Sequence, residues 1–226
     1  MPSLTRRAAG PRSADPYHHG DLQRALIKAA ERRLELDGPE AISFRAIARD
    51  AGVSQTAPYN HFKGKEHLLA TLAAQGLNEL CEAQRRAAQE QALGVDRIVA
   101  LGMDYIRFAL ERPQRYRLMF GTGLKQWRDE PEVIQAKGAS FGPLREALAE
   151  YLGEQGTGAA SGEADETAVA AWALVHGLAM LLIDQGLNLQ LPGRADAMQF
   201  VQRVLSRYAT GLRASRRARS RSRGGD

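Results

Sequence analysis

Residues 43–69 read SFRAIARDAGVSQTAPYNHFKGKEHLL, and this stretch predicts two short helices joined by a tight turn and followed by the start of a third helix. Ser43 precedes an apolar helical stripe and is a suitable N-cap, and Gly52 supplies the permissive backbone of the turn. Ser54 is expected to cap the second helix. Pro58 then falls in its first turn, where proline is tolerated. A helix that begins with exposed polar groups fits the major groove of DNA.

Polar side chains on this second helix are the candidates for reading DNA. Gln55, Thr56 and Tyr59 are expected to face outward. Lys63 and Lys65 flank the N-terminus of the next helix, where backbone N–H groups and lysine charge together favour a phosphate. The alternative is an ordinary helical hairpin with a solvated polar face. The ordered series of cap, turn, second cap and lysine pair favours the DNA-binding interpretation.

The chain from Asp21 to Leu69 resembles the N-terminal signature of the tetracycline-repressor (TetR) family of bacterial transcription regulators. The matching segments are the leading helix from His19, the link at Gly38, the turn over 47–54 and the segment 59–65. The resemblance implies base contacts from Arg45, Gln55 and Thr56 and phosphate contacts from Ser43, Tyr59, His61 and Lys65. Many members begin the recognition helix with a Pro-Gly-Thr-type sequence, which this chain replaces at 55–58, so the base preference is not transferable.

Two later stretches resemble the regulatory domain of a TetR subgroup marked by a Trp, a His and a Gly on its penultimate long helix. They are Pro113-Gln-Arg-Tyr-Arg-Leu-Met-Phe and Trp172-Ala-Leu-Val-His-Gly-Leu-Ala. This resemblance implies a domain that senses a ligand and forms a dimer, and it does not identify the ligand.

Length and composition predict an all-α protein with one large core or two modest ones: the 226 residues contain no alternating apolar and polar run of the strand type. With the resemblance, this length accommodates a small helix-turn-helix DNA-binding domain at 17–65 and a larger helical ligand-binding and dimerisation domain at 66–213. The single cysteine, Cys81, excludes an intramolecular disulfide. No apolar segment follows the N-terminal arginines as in a signal peptide, so we expect a cytoplasmic protein.

The formal net charge of +5 is concentrated at the two ends of the chain. Residues 1–16 carry three arginines against one aspartate, and residues 214–226 carry five arginines against one aspartate. Both ends are expected to be disordered. The N-terminal arm directly precedes the DNA-binding helices, so a phosphate or minor-groove contact is expected there. For the C-terminal tail, a phosphate contact and a merely solvated tail remain open.

Apolar spacing and breaking residues predict the other helices. The first ends near Gly38, and the later ones are expected at 66–91, 94–112, 116–120, 131–153, 163–187 and 195–212. The uncharged run Ala168–Ile183 has 16 residues, short of the 18–20 or so that a membrane span needs, so a buried helix and no membrane are expected. On this helix, Leu174, Leu178 and Leu181 are expected to pack on a partner. Together with the last helix they suggest a four-helix dimer interface.

Large or adaptable apolar side chains from separate segments suggest how an effector pocket is lined. The candidates are Met103, Phe108, Trp127, Phe141, Trp172, His176 and Met180. Most of them could equally be core, and a lone histidine on an apolar helix is more often a satisfied core group. No dense basic cluster occurs in this half, so a small apolar or aromatic effector is expected rather than a phosphorylated one.

No metal, cofactor or catalytic set is predicted. His18, His19, His61 and His67 lack zinc-ligand spacing, and no nucleophile with a base or glycine-rich phosphate loop is visible. Together with the helix-turn-helix pattern, the resemblance to TetR regulators implies a homodimeric regulator that binds a palindromic operator in double-stranded DNA, most simply as a repressor. An enzyme is a weak alternative. A non-specific architectural DNA-binding protein is another, although it would not need Gln55, Thr56 and Tyr59 at base edges.

Overall fold

The structure, a computed structural model, describes residues 19–91, 93–121, 129–153, 163–186, 191 and 193–223. These residues form helices and connecting turns and contain no strand, so the predicted all-α fold is confirmed. The α-helices are α1 His19–Asp37, α2 Phe44–Asp50, α3 Lys65–Glu90, α4 Val95–Glu111, α5 Pro113–Phe120, α6 Pro131–Leu152, α7 Glu163–Ile183 and α8 Arg194–Arg223. Two short 3₁₀ helices, Pro39–Ala41 and Ala57–Asn60, lie in the N-terminal part.

α1, α2 and the 3₁₀ helix Ala57–Asn60 form an N-terminal unit around buried Leu26, Ile47 and Phe62. The predicted cap of α2 is confirmed, since Ser43 Oγ accepts from the Ala46 N–H at 3.3 Å. Gly52 has φ 69°, the left-handed conformation that favours glycine, and it turns the chain after α2. The helix-turn-helix arrangement therefore forms where the sequence predicted it.

The second helix of this motif differs from the prediction. It is a 3₁₀ helix from Ala57 to Asn60, and Ser54 does not cap it: the Ser54 hydroxyl lies 3.1 Å from the Thr56 hydroxyl. Pro58 has no N–H to donate to the Ser54 carbonyl, as an α-helix would require. The Ala57 N–H donates to that carbonyl instead, at 3.0 Å. Proline in the first turn has thus tightened the segment rather than merely being tolerated.

α3 connects the N-terminal unit to the rest of the chain. Its 26 residues correspond to about 39 Å. α5 crosses α3 at Gly76, where a Cβ would lie only 2.7 Å from Met119 Sδ. The absence of a side chain therefore lets the two helices approach closely.

α4 to α8 pack with α3 into the larger domain, and α7 is the most apolar helix in it. Length and composition alone would allow Ala164–Ile183 to cross a membrane, although Ala168, Ala171 and Val175 pack into the core of this chain. Only 28% of its most apolar window is buried within this chain, which agrees with the expectation that one face turns to the core. Packing of another face on a partner stays a prediction. Leu178 belongs to the chain's own core, whereas Leu181 is 39% exposed.

The C-terminal segment also differs from the prediction. α8 was expected to end near Leu212, yet it continues to Arg223, so residues 214–223 are helical rather than disordered. Arginine and alanine favour helices, and neither glycine nor proline occurs between Leu212 and Gly224. The predicted basic arm at 1–16 and Trp127 lie outside the described residues.

Candidate nucleic-acid interface and ligand cavity

The predicted base-reading residues are all exposed on the N-terminal unit. Arg45, Gln55 and Thr56 are exposed. Tyr59 is 67% exposed, and its ring makes an edge-to-face contact with Phe44 at a centroid distance of 4.9 Å. Because Phe44 is itself buried, the tyrosine is held in place while most of its surface remains available. Contact of these four residues with DNA remains a prediction.

The predicted phosphate-binding residues are partly engaged within the protein. Ser43 Oγ caps α2, and Lys65 Nζ donates to the Glu40 carbonyl at 3.3 Å. His61 is half-buried, and its buried Nε2 has no hydrogen-bond partner among the described residues. Lys63, by contrast, is exposed beside the N-terminus of α3. Of the two lysines, Lys63 is thus the better placed for a phosphate.

An ion pair fixes the orientation of α2 on α1. Arg33 Nη2 donates to Asp50 Oδ1 at 3.0 Å, and a second nitrogen of the guanidinium binds the other carboxylate oxygen. This hydrogen bonding lowers the pKa of Asp50 below its usual value. The pair links the two helices that support the turn at Gly52, so it helps to position the exposed residues described above.

A cavity of about 480 Å³ lies in the larger domain, with walls contributed by α3, α4, α5, α6, α7 and α8. Its volume is in the range of small-molecule sites. Its walls are mainly apolar and aromatic, and the rings that line it are Tyr105, Phe120, Phe141, Trp172, His176 and Tyr208. A cavity of this kind is suited to a mainly apolar small molecule.

The structure brings together only some of the predicted pocket residues. Phe141, Trp172 and His176 line the cavity, whereas Met103, Phe108 and Met180 do not belong to its walls. Phe108 is buried in the core with the Arg112 guanidinium 5.8 Å from its ring centre, and the two methionines pack against the same core. The three lie on helices that do reach the cavity, but at positions that point to other neighbours.

His176 belongs to a hydrogen-bonded group with two tyrosines. Tyr116 Oη lies 2.7 Å and Tyr105 Oη 3.2 Å from His176 Nδ1, and the two hydroxyls are 3.0 Å apart. Burial lowers the pKa of His176 and raises the pKa of both tyrosines, so all three are neutral at pH 7. The imidazole also stacks on Trp172 at a centroid distance of 5.0 Å. His176 is therefore both a bonded core group and a cavity wall.

The sequence interpretation missed several cavity residues. Its pocket candidates did not include Tyr105, Tyr208, Gln84, Lys137 or Ser140, all of which line the cavity. Gln84 could have been found, because it interrupts an apolar stripe on α3 that runs through Leu77, Leu80 and Ala87. A polar residue on a buried helix face usually has a partner to satisfy.

α5 also carries a buried arginine, which is not part of the cavity wall. Arg115 is 4% exposed, and its guanidinium donates to Glu79 of α3 at 2.8 Å and to Glu31 of α1 at 2.9 Å. Arg115 Nε also lies 3.6 Å from Glu35 Oε1. Burial raises the pKa of the Glu35 carboxyl above its usual value and outweighs the opposing effect of the Arg115 charge. This cluster joins the N-terminal unit to the domain that contains the cavity.

Comparisons with known proteins agree with these two sites. The family described as bacterial regulatory proteins, tetR family, matches residues 26–72, and the tetracyclin repressor-like C-terminal domain matches residues 98–208. Among the residues that the structure describes, no cluster of three or more His, Cys, Asp or Glu side chains could hold a metal ion.

Individual proteins are also similar to this chain. An uncharacterized HTH-type transcriptional regulator of Bacillus subtilis, YobS, is 28% identical over 97 residues, which are 43% of this chain and 50% of that protein. The chain thus spans about half the length of this curated relative. A solved Rhodococcus sp. RHA1 protein of unknown function is 33% identical with a TM-score of 0.72, over 88% of this chain and 99% of that one.

A more distant structure has the same fold. The FadR regulator of Bacillus subtilis, solved in complex with stearoyl-CoA, is 18% identical with a TM-score of 0.59, over 81% of this chain and 96% of that one. The matches at 26–72 and 98–208 fall on the helix-turn-helix unit and on the domain that contains the cavity. The chain therefore belongs to the TetR family of transcriptional regulators and carries the DNA-binding helix-turn-helix of that family.

Proposed function

We propose that this chain forms a homodimeric repressor that holds a palindromic operator in the cytoplasm and releases it when a small, mainly apolar effector fills the cavity. The observation that supports this function is the position of α5, which contacts both the cavity and α1 of the DNA-binding unit. Phe120 of α5 lines the cavity, and Arg115 of the same helix binds Glu31 of α1. An effector that moves α5 therefore acts on the DNA-binding unit through a single short helix.

The coupling runs through three contacts of α5. The first is Tyr116, whose hydroxyl bonds His176 in the cavity wall. The second is the close approach of Met119 to Gly76 of α3, and the third is the Arg115 cluster at α1. A ligand that changes the arrangement of Trp172 and His176 shifts α5 and with it the start of α3. The decrease in operator affinity cannot exceed the ratio of the ligand's affinities for the shifted and the DNA-bound states.

Dimerisation is supported by the outer face of α7. Ala170 and Ala173 are exposed, Gly177 has open space at its Cβ position, and Leu181 is exposed one turn further along the same side. Small residues at this spacing let a second helix approach closely, and a self-complementary face suits a two-fold dimer. The outer side of α8 is polar, so α7 supplies most of the apolar contact.

A dimer presents two DNA-binding units to one duplex. The exposed side chains of Arg45, Gln55 and Thr56 then contact base edges in successive major grooves, about one helical turn or slightly more apart, and Tyr59 and the lysines contact phosphates. The aromatic walls of the cavity favour an apolar or aromatic effector. Bacillus subtilis FadR, which shares the fold, was solved in complex with stearoyl-CoA, a molecule with a long apolar chain.

Selection of bound fragments from fragmented genomic DNA tests this function directly. We expect enrichment of an inverted repeat, protection of both half-sites in a footprint, and a dimeric mass by light scattering. A library of apolar compounds added to the complex should contain one that releases the DNA. The double variant Gln55→Ala/Thr56→Ala is the control and should lose the enrichment. Uniform binding to all fragments would instead indicate an architectural DNA-binding protein.

A further inference from the structure

A polar region of the cavity wall lies where α3 meets α6, on helices other than those that carry the tyrosines and His176. Gln84 of α3 and Lys137 and Ser140 of α6 all line the cavity. Cys81, one turn before Gln84, donates its S–H to the Ala139 carbonyl at 3.1 Å and so holds α3 against α6 at this level. The three polar residues therefore lie at one contact between two long helices.

Gln84 carries a buried polar atom that lacks a hydrogen bond within the described residues. Its side chain is 4% exposed, and Oε1 has no hydrogen-bond partner among the described residues. A buried amide oxygen without a donor is unfavourable and is rarely retained without a reason. A bound molecule that offers a donor at this point would satisfy it.

The hydroxyl of Ser140 restricts which functional group the bound molecule can carry. Ser140 donates its proton to the Lys137 carbonyl at 2.9 Å, so its oxygen can only accept a further hydrogen bond. The Gln84 amide offers one acceptor and two donors, whichever way its terminal oxygen and nitrogen are assigned. A complementary group must therefore both donate and accept. An ionised carboxylate has no proton to give and would meet the Ser140 oxygen unfavourably, and Lys137, the cationic residue of this wall, already has an interaction within the protein.

We propose that the effector is an apolar molecule bearing one uncharged hydroxyl or amide group, and that this group hydrogen-bonds to Gln84 beside Ser140. The inference rests on the proposed effector cavity and adds the chemical class of its ligand. The apolar body of the molecule then lies against the aromatic walls formed by Phe141 and Trp172.

Equilibrium dialysis of the full-length protein against four naphthalene derivatives tests the proposal. The probes are 2-naphthol, 2-naphthamide, 2-naphthoate and 2-methylnaphthalene, which share one apolar frame. We expect the first two to bind about tenfold more tightly than the last two, as one satisfied hydrogen bond allows. Gln84→Leu should abolish this preference and strengthen binding of 2-methylnaphthalene.

Gln75→Leu is a matched control on the same helix, because Gln75 Oε1 is also buried without a partner among the described residues and Gln75 does not line the cavity. It should leave the ranking of the four probes unchanged. Preference for 2-naphthoate, an unaltered ranking in Gln84→Leu, or no binding of any probe to either protein would overturn the proposal. Operator release is measured separately, so a ranked set of probes that never releases DNA would contradict the repressor function and leave the ligand class intact.

Discussion

Arg115 Nη2 donates to Glu31 Oε1 at 2.9 Å, and this bond ties α5 of the cavity domain to α1 of the DNA-binding unit. The same guanidinium binds Glu79 of α3 at 2.8 Å, so a single buried cation holds three helices. Tyr116, the next residue, bonds the cavity histidine. Adjacent residues of α5 therefore bind the DNA-binding unit and the wall of the ligand cavity.

Replacing Arg115 should destabilise the fold far more than replacing a surface arginine of the same helix. Removing one partner of a buried ion pair costs about 3–5 kcal/mol, and we expect Arg115→Leu near the lower limit because its glutamate partners are partly exposed. Arg117→Leu, which loses a more exposed pair with Asp184, should cost at most about 1 kcal/mol. Urea unfolding followed by circular dichroism measures both. Equal costs would mean that the Arg115 cluster is not a structural junction.

Glu31→Gln should separate effector binding from operator release. The amide keeps the shape of the side chain but weakens the bond to Arg115, so operator affinity without effector should change little. The effector-dependent loss of affinity, typically about 5–150-fold in coupled systems, should decrease markedly. Operator titrations with and without the effector measure the ratio. Glu35→Gln is the control and should retain coupling, because Glu35 Oε1 lacks a hydrogen bond to the described residues. Unchanged coupling in Glu31→Gln would mean that the effector acts on the DNA-binding unit through contacts other than the Arg115–Glu31 bond.

Local signals in the sequence were sufficient for the helix order and for the cap at Ser43, because capping and apolar spacing act within a few residues. The 3₁₀ geometry at Ala57–Asn60 depends on one missing N–H at Pro58. The rule that proline is tolerated in the first turn of a helix does not predict this change of helix type. The lining of the cavity was even harder to predict from the sequence. Phe108 and Phe141 are equivalent in the sequence, and only the packing of several helices makes one of them core and the other a wall.

Protonation of His176 should make the protein less stable in acid. Burial lowers the pKa of His176 below its ordinary 6.5, so the unfolded chain binds this proton more tightly than the folded protein does. Stability from this group is therefore complete above about pH 6.5 and is lost as the pH falls through the folded pKa, by at most about 1.4 kcal/mol per pH unit. The free energy of unfolding, measured by urea unfolding between pH 7.5 and 5.5, should fall less steeply with decreasing pH in His176→Gln than in the wild type. Parallel slopes would contradict the assignment.

Base-reading and phosphate-binding roles should separate in the DNA-binding unit. Gln55→Ala is expected to cost about 1–3 kcal/mol on the preferred operator and to relax preference at particular base pairs. Lys63→Ala should weaken binding to all sequences alike and reduce the salt slope by about one unit. Binding to a panel of single-base operator variants at several salt concentrations distinguishes the two. Altered base preference in Lys63→Ala alone would reverse the roles.

Phe141 and Phe108 provide a test of the cavity that separates a wall from the core. Phe108 is fully packed and lies outside the cavity walls, so Phe108→Ala should cost about 3–5 kcal/mol of stability and should affect effector affinity only through that loss. Phe141 is half-buried at the cavity, so Phe141→Ala should cost about 1–2 kcal/mol but weaken effector binding directly. Thermal unfolding and ligand titration into the operator complex measure the two quantities on each variant. If Phe141→Ala lost operator affinity with no ligand present, or bound the effector as well as the wild type does, Phe141 would be structural core rather than part of the effector site.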